Sequence, residues 1–84
     1  MATIDTVRQI LGETLQLGDR AKAFDGATPL FGGIPEFDSM AVVTVITALE
    51  DRFGFVVEDD EISAETFETV GSLTEFAERK LAEL

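Results

Sequence analysis

The feature that most restricts the fold of this chain is a break in its pattern. Residues 18–38 contain Gly26, Pro29, Gly32, Gly33 and Pro35, and no helical or strand period runs through them. A connection of that length is uncommon inside a small domain and is usually functional or disordered. Phe24, Leu30, Phe31, Ile34 and Phe37 are spaced along it, which is too many apolar anchors for disorder. The spacing predicts an ordered loop, with one short turn of helix, pinned to the elements on either side. It ends at Phe37-Asp38-Ser39-Met40, where the most apolar run of the sequence begins.

On the N-terminal side of the loop, residues 3–17 read as an amphipathic helix. Ile4, Val7, Ile10, Leu11 and Leu15 recur at three- and four-residue intervals and form one stripe. Thr3 is the expected N-cap, Asp5 suits the positive end of the helix dipole, and Gly18-Asp19 marks the stop. On the other side, residues 39–53 read as a second helix with Asp38 as its cap. At 3.6 residues per turn, Val42, Val45, Ile46, Leu49 and Phe53 share an arc about 100° wide, the core face. Met40, Val43, Thr44, Thr47, Ala48 and Asp51 fall on the opposite side. That side carries little charge, and Met40 and Val43 are expected either to be exposed for contact or to cover a neighbouring loop.

Gly54 ends the second helix, and Phe55-Val56-Val57 is a β-like run too isolated to build a sheet. Residues 63–70 read as a short third helix, capped by Ser63, with Ile62, Phe67 and Val70 turned inward; Gly71 breaks it. Ser72-Leu73-Thr74-Glu75 reads as a capping box. The last helix then carries Leu73, Phe76, Ala77, Leu81 and Leu84 on one stripe, with Arg79 and Lys80 at its electronegative end. With no internal repeat, residues 1–84 are expected to form one all-α domain.

Charge and missing residue types narrow the chemistry. Seventeen acidic against six basic residues give a net charge of −11, so nucleic acid and anionic lipid are poor partners and basic protein patches good ones. The chain has no Cys and no His, which removes disulfides, thiol nucleophiles, Cys/His zinc sites and imidazole catalysis. The acids of Glu58-Asp59-Asp60-Glu61 invite a calcium reading, but counted from Asp59 the sixth position is Ala64 and the twelfth Val70. An EF-hand needs Gly and a bidentate Glu there, so a solvated acidic turn is expected and no metal site. No apolar run is long enough to span a bilayer, and Met1-Ala2-Thr3-Ile4-Asp5 has no signal-type core, so a cytoplasmic location is expected.

Three motifs then carry a resemblance: Asp38-Ser39-Met40, Ala48-Leu49-Glu50-Asp51-Arg52-Phe53-Gly54 and Phe67-Glu68-Thr69-Val70-Gly71-Ser72-Leu73. In register with the helices, they make the whole chain resemble the acyl carrier protein family of phosphopantetheine-binding domains. The resemblance implies a four-helix bundle of that type, three main helices plus one short helix, with the long loop between helices one and two. It implies that Ser39 accepts 4′-phosphopantetheine from coenzyme A through a separate magnesium-dependent phosphopantetheinyl transferase, with Asp38 helping to position metal and transferase. The arm's thiol would carry acyl groups as thioesters, and acyl-transferring and acyl-activating enzymes would be the further partners of a monomeric carrier that is not itself an enzyme. In this family a lipid chain can tuck between the helices; Val42, Ile46, Ile62 and Phe67 are the residues that would line such a space here.

The residues agree with these implications on physical grounds. With no His to activate Ser39, an external transferase is needed; with no Cys, the thiol must arrive with the prosthetic group. A phosphodiester on Ser39 would sit at a helix N-terminus, where backbone N–H groups and the dipole favour an anion. The chain also departs from the family pattern. Met40 stands where Leu is common, Glu36 where Gly is common, and Ala41, Thr44 and Thr47 where fatty-acid carriers show acids, leaving Glu50 and Asp51. The expectation is a specialised carrier for a fatty-acid, polyketide or related pathway, with Met40, Val43, Thr44, Thr47 and Asp51 as its partner surface. The alternatives are a peptidyl or aminoacyl carrier, or an acidic helical adaptor without a prosthetic group.

Overall fold

The computed structural model describes residues 3–35 and 37–84; Met1, Ala2 and the departure noted at Glu36 lie outside the described residues. Three α-helices make the frame: α1 (Thr3–Thr14), α2 (Ser39–Phe53) and α3 (Val70–Ala82), with short 3₁₀ segments at Gly18–Ala23 and Asp59–Glu61. This is the expected all-α architecture with a long first connection. α1 packs against both other helices. Val7, Ile10 and Leu11 meet Val45 and Leu49 of α2 and Leu73 and Ala77 of α3 in one core, which Leu30, Ile34 and Phe37 of the loop complete. No helix among the described residues is long and apolar enough to cross a membrane.

Each helix end has a local cause. α1 already includes Thr3, the expected cap, and stops at Thr14 rather than at residue 17. Gln16 turns left-handed at φ 56°, Leu17 N–H donates back to the Gly12 carbonyl at 2.9 Å, and the Leu17 side chain drops into the core. α2 ends where Gly54 takes φ 79° and its N–H donates to the Glu50 carbonyl at 2.8 Å, a left-handed cap that glycine adopts without steric cost. On α2, Val45, Ile46 and Leu49 are buried and Val42 and Phe53 half-buried, as expected. Ala41, which stands where fatty-acid carriers show acids, is buried, because it lies one turn ahead of Val45 on the same stripe.

The region before α3 differs from the expected helix over residues 63–70. Residues 64–67 form a turn, the helical piece falls earlier at Asp59–Glu61, and residues 67–71 run beside the first loop. Leu30 N–H donates to Glu68 O, Val70 N–H to Thr28 O and Gly71 N–H to Gly26 O, each at 2.9 Å, around an antiparallel bridge between Pro29 and Thr69. These long-range bonds engage backbone groups that a helix would have paired locally. The capping box accordingly lies at Thr69 and Ser72 rather than at Ser72 and Glu75: Thr69 Oγ1 accepts from Ser72 N–H and Ser72 Oγ from Thr69 N–H, both at 3.0 Å. Phe67 and Val70 are buried as expected, whereas Ile62 is 37% exposed and Leu84, at the end of the last stripe, 72% exposed.

The loop-to-α3 seam depends on close approach at Gly71. A Cβ added there would lie 2.6 Å from the Gly26 carbonyl oxygen. Alanine normally stabilises a helix relative to glycine by about 1 kcal/mol, yet Gly71→Ala should destabilise this chain by about 1–3 kcal/mol through overpacking. Urea unfolding checks the sign; a stabilised variant would show that the seam yields at no cost.

A second fastening joins the 3₁₀ turn to α3. Lys80 Nζ donates to both carboxylate oxygens of Glu61, at 2.8 and 3.0 Å, with Glu83 a looser partner at 3.6 Å. The Lys80 bond, then the Glu58 N–H, holds the Glu61 carboxyl below the usual carboxylate range, and the same bond raises Lys80. Because folded Glu61 titrates below its unfolded counterpart, its stabilisation is complete above about pH 5 and is lost as pH falls through the depressed value. That of Lys80 is complete at neutral pH and lost only in strong alkali. The melting-temperature difference between the natural chain and Glu61→Gln should therefore be flat across neutral pH and shrink in acid.

Candidate functional site

The loop hands over to α2 at a junction held from both sides. Phe37 is buried at 4% exposure, and its ring lies 5.9 Å from Phe67 and 5.0 Å from Phe31, the latter edge-on. This aromatic cluster anchors the chain one residue before Asp38. Asp38 is extended (φ −114°, ψ −171°), and its Oδ1 accepts from Ala41 N–H at 2.9 Å. That bond satisfies one of the orphan donors of the first turn and fixes where α2 begins. Asp38→Ala should cost about 0.5–2 kcal/mol, measured by chemical unfolding, with helix content otherwise retained.

Ser39 is the first residue of α2 and is exposed, and its hydroxyl makes no hydrogen bond among the described residues. An apolar cleft of about 290 Å³ opens beside it, between Ser39 and Val42 on α2 and Ile62 and Phe67 from the α2–α3 connection, with Phe31 also on its wall. Three of the four residues expected to line an inter-helix space are thus on this cleft. The fourth, Ile46, is buried and off the wall. Phe31 was read as a loop anchor only. Its 43% exposure and cleft position follow from the loop's seam to residues 67–71, which leaves no periodic signal.

The outer face of α2 stands free. Met40 is 74% and Val43 60% exposed, so neither covers a loop. Thr44 Oγ1 donates to Met40 O at 3.1 Å and Thr47 Oγ1 to Val43 O at 2.9 Å. With the hydroxyl protons spent on the helix itself, the threonines add little donor capacity to this face. A shallow groove of about 780 Å³ runs along Val43, Thr44, Thr47 and Asp51, and its other side is formed by Phe55 and Val56. Sequence reading missed that side. In the extended run after Gly54, Phe55 is buried and Val56 is 66% exposed, the in–out alternation that any extended chain imposes. Glu50 is half-buried, and its Oε2 accepts the Val57 N–H at 2.8 Å, which ties the run to α2. Asp51 is left as the outward acid of this groove.

The arrangement contains an accessible hydroxyl at a helix N-terminus, with no side chain hydrogen-bonded to it among the described residues, and an apolar cleft at its foot. Among the described residues no cluster of acids is suited to hold a metal ion. A hydroxyl so placed can receive a group. Comparison with known proteins gives the family. The family profile described as the phosphopantetheine attachment site matches residues 5–77. The solution structure of a holo acyl carrier protein from Nitrosomonas europaea is similar at 57% sequence identity and a TM-score of 0.91, over 98% of this chain and 99% of that one. Comparison with curated protein sequences finds no match. The chain therefore belongs to the acyl carrier protein family, as a carrier with covalently bound phosphopantetheine and not an enzyme.

Proposed function

We propose that Ser39 is the residue that holds 4′-phosphopantetheine, and that the chain carries acyl groups for a specialised fatty-acid, polyketide or related biosynthetic pathway. The observation that carries this reading is the exposed Ser39 hydroxyl at the start of α2, unengaged among the described residues and beside an apolar cleft. The residues fit the group. The first-turn N–H groups favour a phosphodiester there, and the cleft offers an apolar chain a place out of water. When bound, the group supplies a terminal thiol for thioester formation, which a chain without Cys lacks. Asp38 would aid magnesium and transferase positioning; its carboxylate is exposed apart from the one oxygen that caps the helix.

Carriers of this family act with phosphopantetheinyl transferases and biosynthetic enzymes. For this chain the docking surface is Met40, Val43, Thr44, Thr47 and Asp51, an apolar strip with one outward acid. That surface suits partners less basic than those that recognise acid-lined carriers. The Nitrosomonas relative is called an acyl carrier protein, which supports an acyl cargo over a peptidyl or aminoacyl one. We further take residues 1–84 to act as a single domain, monomeric at a net charge of −11 and cytoplasmic. Intact mass after incubation with coenzyme A, magnesium and a broad-specificity transferase tests the reading. The expected result is a gain of one phosphopantetheine; an unchanged mass with several transferases would sink it.

A further inference from the structure

The cleft beside Ser39 has one wall that is thinner than the others. Its α2 side is helix packed on the core, but Ile62, Ser63 and Ala64 belong to an arch between the 3₁₀ turn and α3. Among the described residues, no backbone–backbone bond joins residues 62–65 to α1 or α2. Behind the arch lies a second cleft, of about 480 Å³, polar and lined by Glu61, Ser63, Thr66, Ser72 and Lys80 among others. Ser63 lies on both clefts, so the arch is one residue thick there, with open space on its outer side. Ile62, 37% exposed, is not locked into the core.

The arch stands on two footings, both on α3. At its far end Ser63 Oγ meets Thr66 Oγ1 at 3.1 Å, and Ser72 Oγ donates to Thr66 O at 2.9 Å. These are neutral bonds, one within the turn and one from α3. At its near end stands the two-oxygen bond of Lys80 to Glu61, the residue directly before Ile62. The Lys80 side chain is only 12% exposed and that of Glu61 28%, and a charge-assisted pair so shielded is stronger than its surface counterparts. The Glu61 carboxylate also accepts the Glu58 N–H at 2.9 Å, so it fixes the turn as well as the anchor.

We propose that Lys80 is a positioning residue for the carried chain: by holding Glu61 it keeps the arch of residues 62–65 closed and so sets how deep an acyl group on Ser39 enters the cleft. This rests on the carrier reading of Ser39 given above. Released from Lys80, the arch swings toward the polar cleft, and the apolar cleft deepens without disturbing the α1–α2 core. Lys80 thereby fixes cargo length from a position that touches neither Ser39 nor the cleft wall.

The test uses the full chain loaded with phosphopantetheine, unacylated and as octanoyl and dodecanoyl thioesters. Lys80→Met and Glu61→Gln should speed amide exchange at Glu61 and Ile62, which donate to the Glu58 and Asp59 carbonyls at 3.0 and 3.2 Å, by about tenfold, with Val45 and Leu49 unchanged. Lys80→Arg, which keeps the charge pair, should restore slow exchange. Glu61→Gln keeps an oxygen for the Glu58 N–H, so it remains informative if Lys80→Met folds poorly. In the natural chain the octanoyl thioester should be better shielded from hydrolysis than the dodecanoyl one, and in both disrupting variants that difference should vanish. Unchanged exchange overturns the latch. Faster exchange with an unchanged chain-length difference overturns its control of depth. If acylation of the natural chain leaves the Val42 and Phe67 signals unmoved, the cleft does not take the cargo, and that separate result overturns the reading beneath the proposal.

Discussion

Ser39→Ala is expected to abolish loading completely while leaving the fold intact. After treatment with coenzyme A, magnesium and a transferase, its mass should equal that of the untreated chain. The melting temperature should stay close to that of the natural apo protein, because Ser39 is exposed and its hydroxyl holds nothing among the described residues. Substitutions at such surface positions usually fall within about 0.5 kcal/mol. The helix start is secured next door, by the Asp38 carboxylate on Ala41 N–H and by the buried ring of Phe37. This pairing of total functional loss with near-zero structural cost separates the attachment reading from a merely structural serine. A Ser39→Ala chain that still gained one phosphopantetheine would move the site elsewhere; the same variant with markedly altered stability would give the hydroxyl a structural role.

Phe67→Ala should be the most damaging single truncation to the fold. Phe67 is the largest of the fully buried side chains, at 1% exposure. Its ring meets Phe37 at 5.9 Å and Phe31 at 6.5 Å, edge-on to the latter. Removing it costs the transfer energy of a large ring and leaves a void that its neighbours fill only in part, together about 3–5 kcal/mol. A domain of this size has a total stability of roughly 4–13 kcal/mol, so the variant should lose a large share of its folded population under mild urea. Phe67→Leu, which keeps most of the volume, should recover much of the loss. The damage should also reach the site, because Phe67 joins the loop anchor Phe37 to the cleft wall. A loss below about 1 kcal/mol in Phe67→Ala would mean that the aromatic cluster does not hold the loop.

What could be read from sequence follows from how far each signal reaches along the chain. The stripe Val7, Ile10, Leu11 and the set Val45, Ile46, Leu49 repeat within a few residues, and they are buried where periodicity places them. Asp38 caps α2 because a carboxylate before an apolar helical run needs only the next three residues to do so. The exposure of Met40 and Val43 was legible as the opposite face of that helix, although whether a loop covered them was not. Ala41 stands where the family pattern has an acid, yet its own position one turn before Val45 puts it in the core.

The sequence by itself determined the three main helices, the anchored loop between the first two, and an acidic chain in which Ser39 opens the second helix without any base or thiol to serve it. Tertiary structure alone decided what happens before α3. There the amides of Leu30, Val70 and Gly71 pair with carbonyls some forty residues away in the chain, and this unwinds the expected short helix and shifts the capping box to Thr69. Every backbone unit carries the same donor and acceptor, so nothing in the residue names says which distant partner it will find. The cleft beside Ser39, the thin arch that closes it and the Lys80–Glu61 tether all follow from that pairing and from the contacts it brings together.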